Sequence, residues 1–326
     1  MEFLKQLNKL LQQPNSIVRN YEVLLKLMKE FTDSFEDPTL LFGDSDVVDD
    51  LKPIMSNLLR KNENLTSTIP IELELLGARI IKILLRKPIN RTNFGKYGIS
   101  AIIHALKRQV NDRTVASVEI CNIILNCCYE GSNVNLYIDE GGLEPLVLLL
   151  KSTRDIRLQS SALGALQGIC FVPLGRQTVR FDTELLRLLS SYLQSDDDLV
   201  RARCTGTVHN LSVDIGAIKF LREADCLQFL VTLLKDPSIE ICQAAVSSLQ
   251  NISRETLSRQ LLIDYNVVPI LSELVCSNDV HCQVAASGAL LNILGENLSE
   301  AQRHDLKCTL TDGIVLGCIK GCLFEN

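Results

Sequence analysis

Histidine and cysteine side chains near the end of the sequence have the spacing of a metal site. His304 and Cys308 are four residues apart, and so are Cys318 and Cys322. On a helix each pair would lie on one face, as a structural zinc ion with four ligands requires. The complete spacing matches no common zinc finger, so we expect no metal here. The same segment has glycines spaced for close helix packing, within the chain or between two copies, at Gly313, Gly317 and Gly321.

The other possible nucleophiles have the pattern of core residues. The chain has 12 cysteines, most of them inside apolar stretches such as those around Cys121 and Cys242, where a thiol acts as a small hydrophobe. Cys127 and Cys128 are predicted to be a packed pair. The phosphate-binding, dinucleotide-binding, zinc-protease and serine-hydrolase motifs are missing. We therefore predict no enzyme and no cofactor, and an enzymatic alternative would depend on the cysteines.

Charge and hydropathy limit the class of partner. Lysine and arginine number 33 against 39 acidic residues, a net charge of −6, whereas nucleic acids and anionic membranes attract basic surfaces. We expect neither as a partner. The first residues, MEFLKQLNKL, do not resemble a signal peptide, and no apolar run reaches the roughly 20 residues of a membrane helix. We expect the cytoplasm as the compartment, with the nucleus as an alternative.

A repeat organises the chain. Five apolar segments end in a related way, and their equivalent residues follow at steps of 42, 42, 41 and 41, namely Asn126, Gly168, Asn210, Asn251 and Asn292. A second apolar pattern runs in phase and begins near Gly141, Asp225 and Asn266, residue types that tolerate the positive φ of a sharp turn. Each unit is predicted to contain a short, a medium and a long helix. The fold class is therefore all-α.

Polar breaks before the long helices contain helix-start signals. Ser152 with Asp155, and Ser195 with Asp198, have the spacing of a capping box. Asp236 is predicted to cap a helix whose first residue is Pro237.

A unit of this length and layout, with GGLEPLVLLL followed by GALLNIL, resembles the armadillo repeat. The resemblance implies a right-handed α-solenoid with three helices in each unit of about 42 residues. We predict an N-terminal cap of two helices broken at residues 13–15, with an acidic loop at 32–46. A degenerate repeat and a truncated C-terminal repeat enclose five full repeats, which gives the boundaries 1–47, 48–92, 93–134, 135–176, 177–217, 218–259, 260–302 and 303–326.

The resemblance implies a concave groove lined by the long third helices. In this family asparagines hold an extended peptide by its backbone, and the matching positions here are Asn126, Asn210, Asn251 and Asn292, with Gly168 as a gap. The amides could instead only join neighbouring helices. One turn earlier lie mostly small residues, predicted to leave the groove open: Asn122, Gly164, Gly206, Ser247 and Gly288. The nuclear-import branch of the family has tryptophan there, and this chain has none, so it is not expected to bind classical nuclear signals.

Basic residues in the middle repeats predict the chemistry of a ligand. Arg203 and His209 are expected to select an acidic or phosphorylated segment, because guanidinium groups match carboxylates and phosphates. The alternative is a solvated convex face, formed by these residues with Arg154, Arg157, Arg176, Arg180, Arg187 and Arg201.

These observations predict a non-enzymatic scaffold or adaptor that binds an extended or helical partner segment in its groove. The alternatives are a structural subunit of a cytoskeletal or axonemal assembly, and a chaperone cofactor or small-GTPase regulator that grips a folded domain. The partner-binding residues expected in the groove are Asn122, Asn126, Arg203, His209, Asn210, Ser247, Asn251 and Asn292.

Overall fold

The computed structural model describes residues 2–11, 20–34, 52, 55, 70–112, 116–295, 299–301, 304 and 308. Throughout these residues the chain forms helices and turns without a strand, as predicted. The chain divides into two compact units, Met1–Gly175 and Arg176–Asn326. No helix in the described part is both long and apolar enough to cross a membrane.

The first unit begins with two helices of the predicted cap and continues into three-helix repeats. Its helices are α1 (Glu2–Leu11), α2 (Tyr21–Ser34), α3 (Ile71–Leu84), α4 (Pro88–Asp112), α5 (Ala116–Cys127), α6 (Gly131–Asp139), α7 (Leu143–Ser152) and α8 (Ile156–Phe171). Helix α2 continues to Ser34, so the first three residues of the predicted acidic loop are helical. The rest of that loop, the break at 13–15 and most of the C-terminal half-repeat lie outside the described residues.

The second unit contains the long third helices of three successive repeats. After α9 (Pro173–Val179), in which the division falls, come α10 (Thr183–Tyr192), α11 (Asp198–Ser212), α12 (Ile215–Glu223), α13 (Cys226–Leu233), α14 (Ile239–Ile252), α15 (Thr256–Asp264), α16 (Val267–Val275) and α17 (Val280–Leu294). Helix α14 packs against α11 on one side and α17 on the other. In each of these three repeats the third helix is the longest, as predicted. The predicted difference between a short first and a medium second helix is found only for α9 and α10, since α12 and α13 have 9 and 8 residues and α15 and α16 have 9 each.

Sharp turns with positive φ separate the first and second helices in four of the repeats. The φ angle is 72° at Gly141, 59° at Asp225 and 55° at Asn266, and Gly95 (φ 55°) makes the same break inside α4. Glycine adopts this conformation without strain, and Asp and Asn tolerate it better than other residues. The positions predicted from residue type are confirmed.

The helix starts differ from the prediction. Asp155 and Asp197 are the N-caps of α8 and α11, and their carboxylates accept hydrogen bonds from the amides two or three residues later. The predicted capping boxes at Ser152 and Ser195 are wrong. The Ser195 hydroxyl instead accepts a bond from the amide of Asp197 at 3.2 Å and holds the true cap in place.

The start of α14 also differs. Its N-cap is Ser238, so Pro237 precedes the helix. Asp236 accepts a hydrogen bond from the Ser238 amide at 2.9 Å and forms an ion pair with Arg201 of the preceding repeat at 3.0 Å. The predicted cap therefore joins two repeats.

Arginine–carboxylate pairs also join successive first helices in the second unit. Arg180 contacts Asp214 at 2.9 Å, and Arg222 contacts Glu255 at 3.0 Å, the acid in both pairs being the N-cap of the next first helix. The Asp214 carboxylate also caps α12 by accepting a hydrogen bond from the Gly216 amide, whereas the Glu255 side chain makes no cap bond to α15. Each ion pair joins two successive repeats.

The cysteines are mainly core residues, as predicted. Of the ten described cysteines, eight are buried and two, Cys276 and Cys308, are exposed. Burial raises the pKa of Cys121 and of Cys128 to about 12. These thiols are protonated at neutral pH and are therefore poor nucleophiles.

The neighbouring acids Asp197 and Asp198 test the corrected cap. Asp197→Ala should lower the free energy of unfolding by about 1 kcal/mol, because the cap on the Val200 amide is lost. Asp198→Ala removes an exposed i,i+3 pair with Arg201 and should cost no more than about 0.5 kcal/mol. Chemical denaturation of both variants measures the difference, and equal losses would restore the predicted capping box.

Candidate partner-binding groove

Three of the repeat asparagines donate a hydrogen bond to the preceding repeat. The side-chain amide of Asn126 reaches the carbonyl of Lys82 at 3.1 Å, and that of Asn251 reaches the hydroxyl of Ser212 at 3.1 Å. Asn292 bonds the carbonyl of Gln250 at 3.2 Å and the hydroxyl of Ser253 at 3.0 Å. The nitrogen of each amide therefore joins two repeats. Among the described residues the amide oxygen of Asn251 accepts no bond, and it is available to a ligand.

Packing explains the glycine that interrupts the asparagine series. A Cβ atom at Gly168 would lie 2.7 Å from the Cβ of Cys128 on the neighbouring repeat. Real carbon atoms do not approach so closely, so a side chain at Gly168 would push α8 away from the end of α5. The gap in the first unit is a site of close helix contact.

The second unit has a cavity of about 500 Å³ on the side formed by its third helices. Helix α11 contributes one lining residue, α14 three and α17 four, namely His209, Ser247, Gln250, Asn251, Val280, His281, Val284 and Ala285. We call this cavity the histidine pocket. It brings together two histidines that are 72 residues apart in the sequence, and none of its lining residues is acidic.

A chain of two hydrogen bonds fixes the tautomer of neutral His281. The hydroxyl of Ser247 lies 2.8 Å from Nε2 of His281 and donates its only proton to the carbonyl of Gln243 at 2.8 Å. Nε2 must therefore be the donor to Ser247. It follows that Nδ1 of neutral His281 carries the free lone pair.

His209 is the second imidazole of the pocket. Burial lowers the pKa of His209 below its ordinary value, and the nearby His281 lowers it further. The described residues give its ring no hydrogen-bond partner. The ring of His209 is therefore neutral near neutral pH. Its N–H donor and its nitrogen acceptor make no hydrogen bond to the described residues.

The side chain of Gln250 lies over the backbone of the next repeat. A Cβ atom at Gly288 would collide with the carboxamide nitrogen of Gln250, so the glycine makes room for this side chain. Within the described part of the chain the carboxamide makes no hydrogen bond. The N–H donors and the oxygen acceptor of Gln250 are therefore both available in the pocket.

The small residues one turn before the asparagines have different surroundings. Gly164 and Gly206 are buried, and Gln250 covers Gly288. Ser247 lines the histidine pocket, so space for a ligand remains there, and the open groove stays a prediction.

The structure places the predicted groove residues in different surroundings. His209, Ser247 and Asn251 meet in the histidine pocket, while Arg203, Asn210 and Asn292 belong to the same unit and do not line it. Asn122 and Asn126 lie on α5 in the first unit. Of the four residues with metal-site spacing, at which we expected no metal, Cys308 and His304 contact each other, with Sγ 3.6 Å from Nε2. Cys318 and Cys322 fall outside the described residues, among which no metal-binding group of three His, Cys, Asp or Glu occurs.

Gln250 and His281 were missed by the sequence analysis although a signal was present. Gln250 directly precedes Asn251, as His209 directly precedes Asn210. His281 lies 11 residues before Asn292, which is three helical turns on the same face. The positions one turn before each asparagine do not reach the N-terminal end of the third helix, where His281 lies.

Comparison with known proteins supports the repeat assignment. Residues 136–171, 215–254 and 257–295 match the armadillo/beta-catenin-like repeat. No curated protein sequence matches the chain significantly.

Several solved structures are similar to this chain. An engineered protein has a TM-score of 0.67 and 25% identity, over 76% of this chain and 97% of its own. A designed armadillo repeat protein has a TM-score of 0.66 and 21% identity, over 74% of this chain and 99% of its own. Another designed armadillo repeat protein, in complex with the peptide (KR)4, has a TM-score of 0.64 and 21% identity over the same shares. The predicted fold class, an all-α solenoid of armadillo repeats, is thus confirmed.

Replacing Asn251 tests whether the asparagines stabilise the stacking. Asn251→Ala should lower the free energy of unfolding by about 1 kcal/mol, because the bond to Ser212 is lost. Asn122→Ala is the matched control, since Asn122 is also half-buried on a third helix and has no hydrogen bond among the described residues. The effect of Asn122→Ala on the free energy of unfolding should stay within about 0.5 kcal/mol. Denaturation midpoints that shift equally in the two variants would show that the bond from Asn251 to Ser212 does not stabilise the stacking.

The lowered pKa of His209 predicts a loss of stability in mild acid. As the pH falls, His209 takes up a proton in the unfolded chain before it does so in the folded one. The folded state therefore keeps its full stability above about pH 6.5 and loses stability as the pH falls below that value. The loss is about 1.4 kcal/mol for each unit by which the pKa of His209 is lowered. Wild type should lose more unfolding free energy between about pH 8 and pH 5 than His209→Gln. His304→Gln should behave as wild type. The lowered pKa values of Glu255 and Asp279 act only in stronger acid.

Proposed function

We propose that this chain of armadillo repeats is a non-enzymatic protein-interaction scaffold or adaptor whose second unit binds an extended or helical segment of a partner. The observation that carries the proposal is the histidine pocket on the side formed by α11, α14 and α17. The Asn251 oxygen, the Gln250 carboxamide and the His209 ring have no hydrogen-bond partner among the described residues, so they are available to a ligand.

The pocket suits a polypeptide ligand. An extended backbone presents alternating donors and acceptors, and the Asn251 oxygen and the Gln250 carboxamide offer the complementary groups. Val280 and Val284 are about half exposed at the N-terminal end of α17 and provide apolar contact for side chains. A mixture of a few directed polar groups with apolar walls is typical of binding sites.

The designed armadillo repeat proteins support peptide binding, whereas the lining of the histidine pocket argues for a peptide without the basic charge of (KR)4. One of the similar structures is a complex with the peptide (KR)4, and another was designed for modular peptide recognition. In this chain the pocket lining has two histidines and no carboxylate, so a basic peptide has no acidic partner there. We propose an acidic or phosphorylated segment as the ligand.

The cysteine environment supports the absence of catalysis and the cytoplasm, or the nucleus, as compartment. Buried thiols with raised pKa values, such as Cys121 and Cys128, serve as small apolar side chains between helices. Free cysteines in such numbers are usual in reducing compartments.

A charge placed in the pocket should abolish partner binding. We expect that Val284→Glu, at a side chain that is 51% exposed, adds bulk and a carboxylate beside the two histidines without disturbing the core. Proximity labelling followed by pull-down compares the proteins captured by wild type and variant. Short overlapping peptides of each captured protein then locate the bound segment.

Ile263→Glu is the matched control, because Ile263 is 43% exposed on α15 and does not line the pocket. Partners lost from Val284→Glu and retained by Ile263→Glu support groove binding. If the captured proteins are the same for both variants, the pocket is not the partner site, and binding of a folded domain elsewhere becomes the better account.

A further inference from the structure

We infer that the histidine pocket contains an anion site, at which His209, His281 and Gln250 bind a carboxylate or phosphate group carried by the partner segment. The inference depends on the proposed function for the carrier of the anion, and the anion site itself can be tested without any partner.

The two imidazoles approach the same space from two sides. His209 is near the C-terminal end of α11 and His281 is in the first turn of α17, with α14 packed between these helices. The pair is close enough for each charge to affect the other, since His281 contributes to the lowered pKa of His209. A bound anion would remove this mutual repulsion, and protonation of the two rings would in turn strengthen anion binding.

The hydrogen bonds direct the available donors into the pocket. Nε2 of His281 is committed to Ser247, so a proton added at Nδ1 is the one that a ligand can use. The ring of His209 and the carboxamide of Gln250 have no partner in the described residues. Three side chains on three helices therefore offer donors, and hydrogen bonds between such donors and an anion are about twice as strong as neutral ones.

Charged groups surround the pocket without contributing to its lining. Asp279 is the acidic group whose charge interacts with His281, and both its oxygens already accept hydrogen bonds, from the Cys282 amide at 2.7 Å and the Gln243 carboxamide at 2.9 Å. Glu240 is exposed on the first turn of α14, and Arg203 adds positive charge on α11. No carboxylate lines the pocket itself.

A metal ion fits these residues less well. Zinc requires at least three protein ligands, and the described residues contain no group of three His, Cys, Asp or Glu side chains that could hold one. Nε2 of His281 carries the proton that it donates to Ser247. While that hydrogen bond is kept, this nitrogen has no lone pair for a metal ion.

Histidine NMR tests the site on the whole chain, which has only 4 histidines. Inorganic phosphate is titrated at about pH 6, near the ordinary histidine pKa, with sodium chloride at equal ionic strength as the control. We expect the ring signals of His209 and His281 to shift with saturation in phosphate only. The signals of His104 and His304 should follow the chloride control. Uniform shifts of all four signals would overturn the inference.

Acetate distinguishes the two sources of the anion. Saturable shifts with both acetate and phosphate support a carboxylate side chain as the natural ligand, and shifts with phosphate alone support a phosphorylated one. If neither produces a saturable shift at His209 and His281, the anion site does not exist, whatever the result of the Val284→Glu experiment. Conversely, phosphate binding by wild type survives if the proposed function fails.

Two variants identify the groups that bind. His281→Gln should weaken phosphate binding about tenfold, the effect of one charged hydrogen bond, while His304→Gln leaves it unchanged. Gln250→Glu keeps the size of the side chain and places a carboxylate in the pocket, so it should abolish binding with circular dichroism unchanged. Wild-type affinity in a folded Gln250→Glu protein would contradict the site.

Discussion

Packing between the third helices of successive repeats is the interaction on which the rest of the second unit depends. Helix α14 is covered on two sides by α11 and α17, and its residues Cys242, Val246 and Leu249 are buried. No single repeat could bury these side chains alone, because each repeat completes its core only against its neighbours. The turns, caps and ion pairs described above act by fixing how closely and in what register these helices meet.

This close packing determines what the groove can offer. The nitrogen of Asn251 is used to hold α14 against α11, and Ser247 is used to orient His281. Positions that are small in sequence are filled by a neighbour, as Gln250 fills the space above Gly288. The polar groups left for a ligand in the histidine pocket are therefore His209 and Gln250, each just before an asparagine, and His281 in the first turn of α17.

The sequence alone was sufficient for the repeat, its three helices and its turns, because these depend on patterns within one repeat. Gly141, Asp225 and Asn266 could be recognised by residue type, since few residues tolerate positive φ. The caps were misassigned because neighbouring polar residues compete for the same amides. Ser195, Asp197 and Asp198 all have side chains that could cap a helix, and only the path of the backbone decides among them. His281 and Gln250 depend on contacts between repeats, which the pattern of one repeat does not contain.

The distribution of charge has a structural origin that links the scaffold to its ligand. The chain has a net charge of −6, yet Asp214, Asp236 and Glu255 are paired with arginines of the preceding repeat. Their carboxylates are used where repeats join, so they do not contribute free negative charge to the third-helix side. The histidine pocket is left with neutral donors and two ionisable rings. An acidic protein can in this way present a pocket whose lining contains no carboxylate.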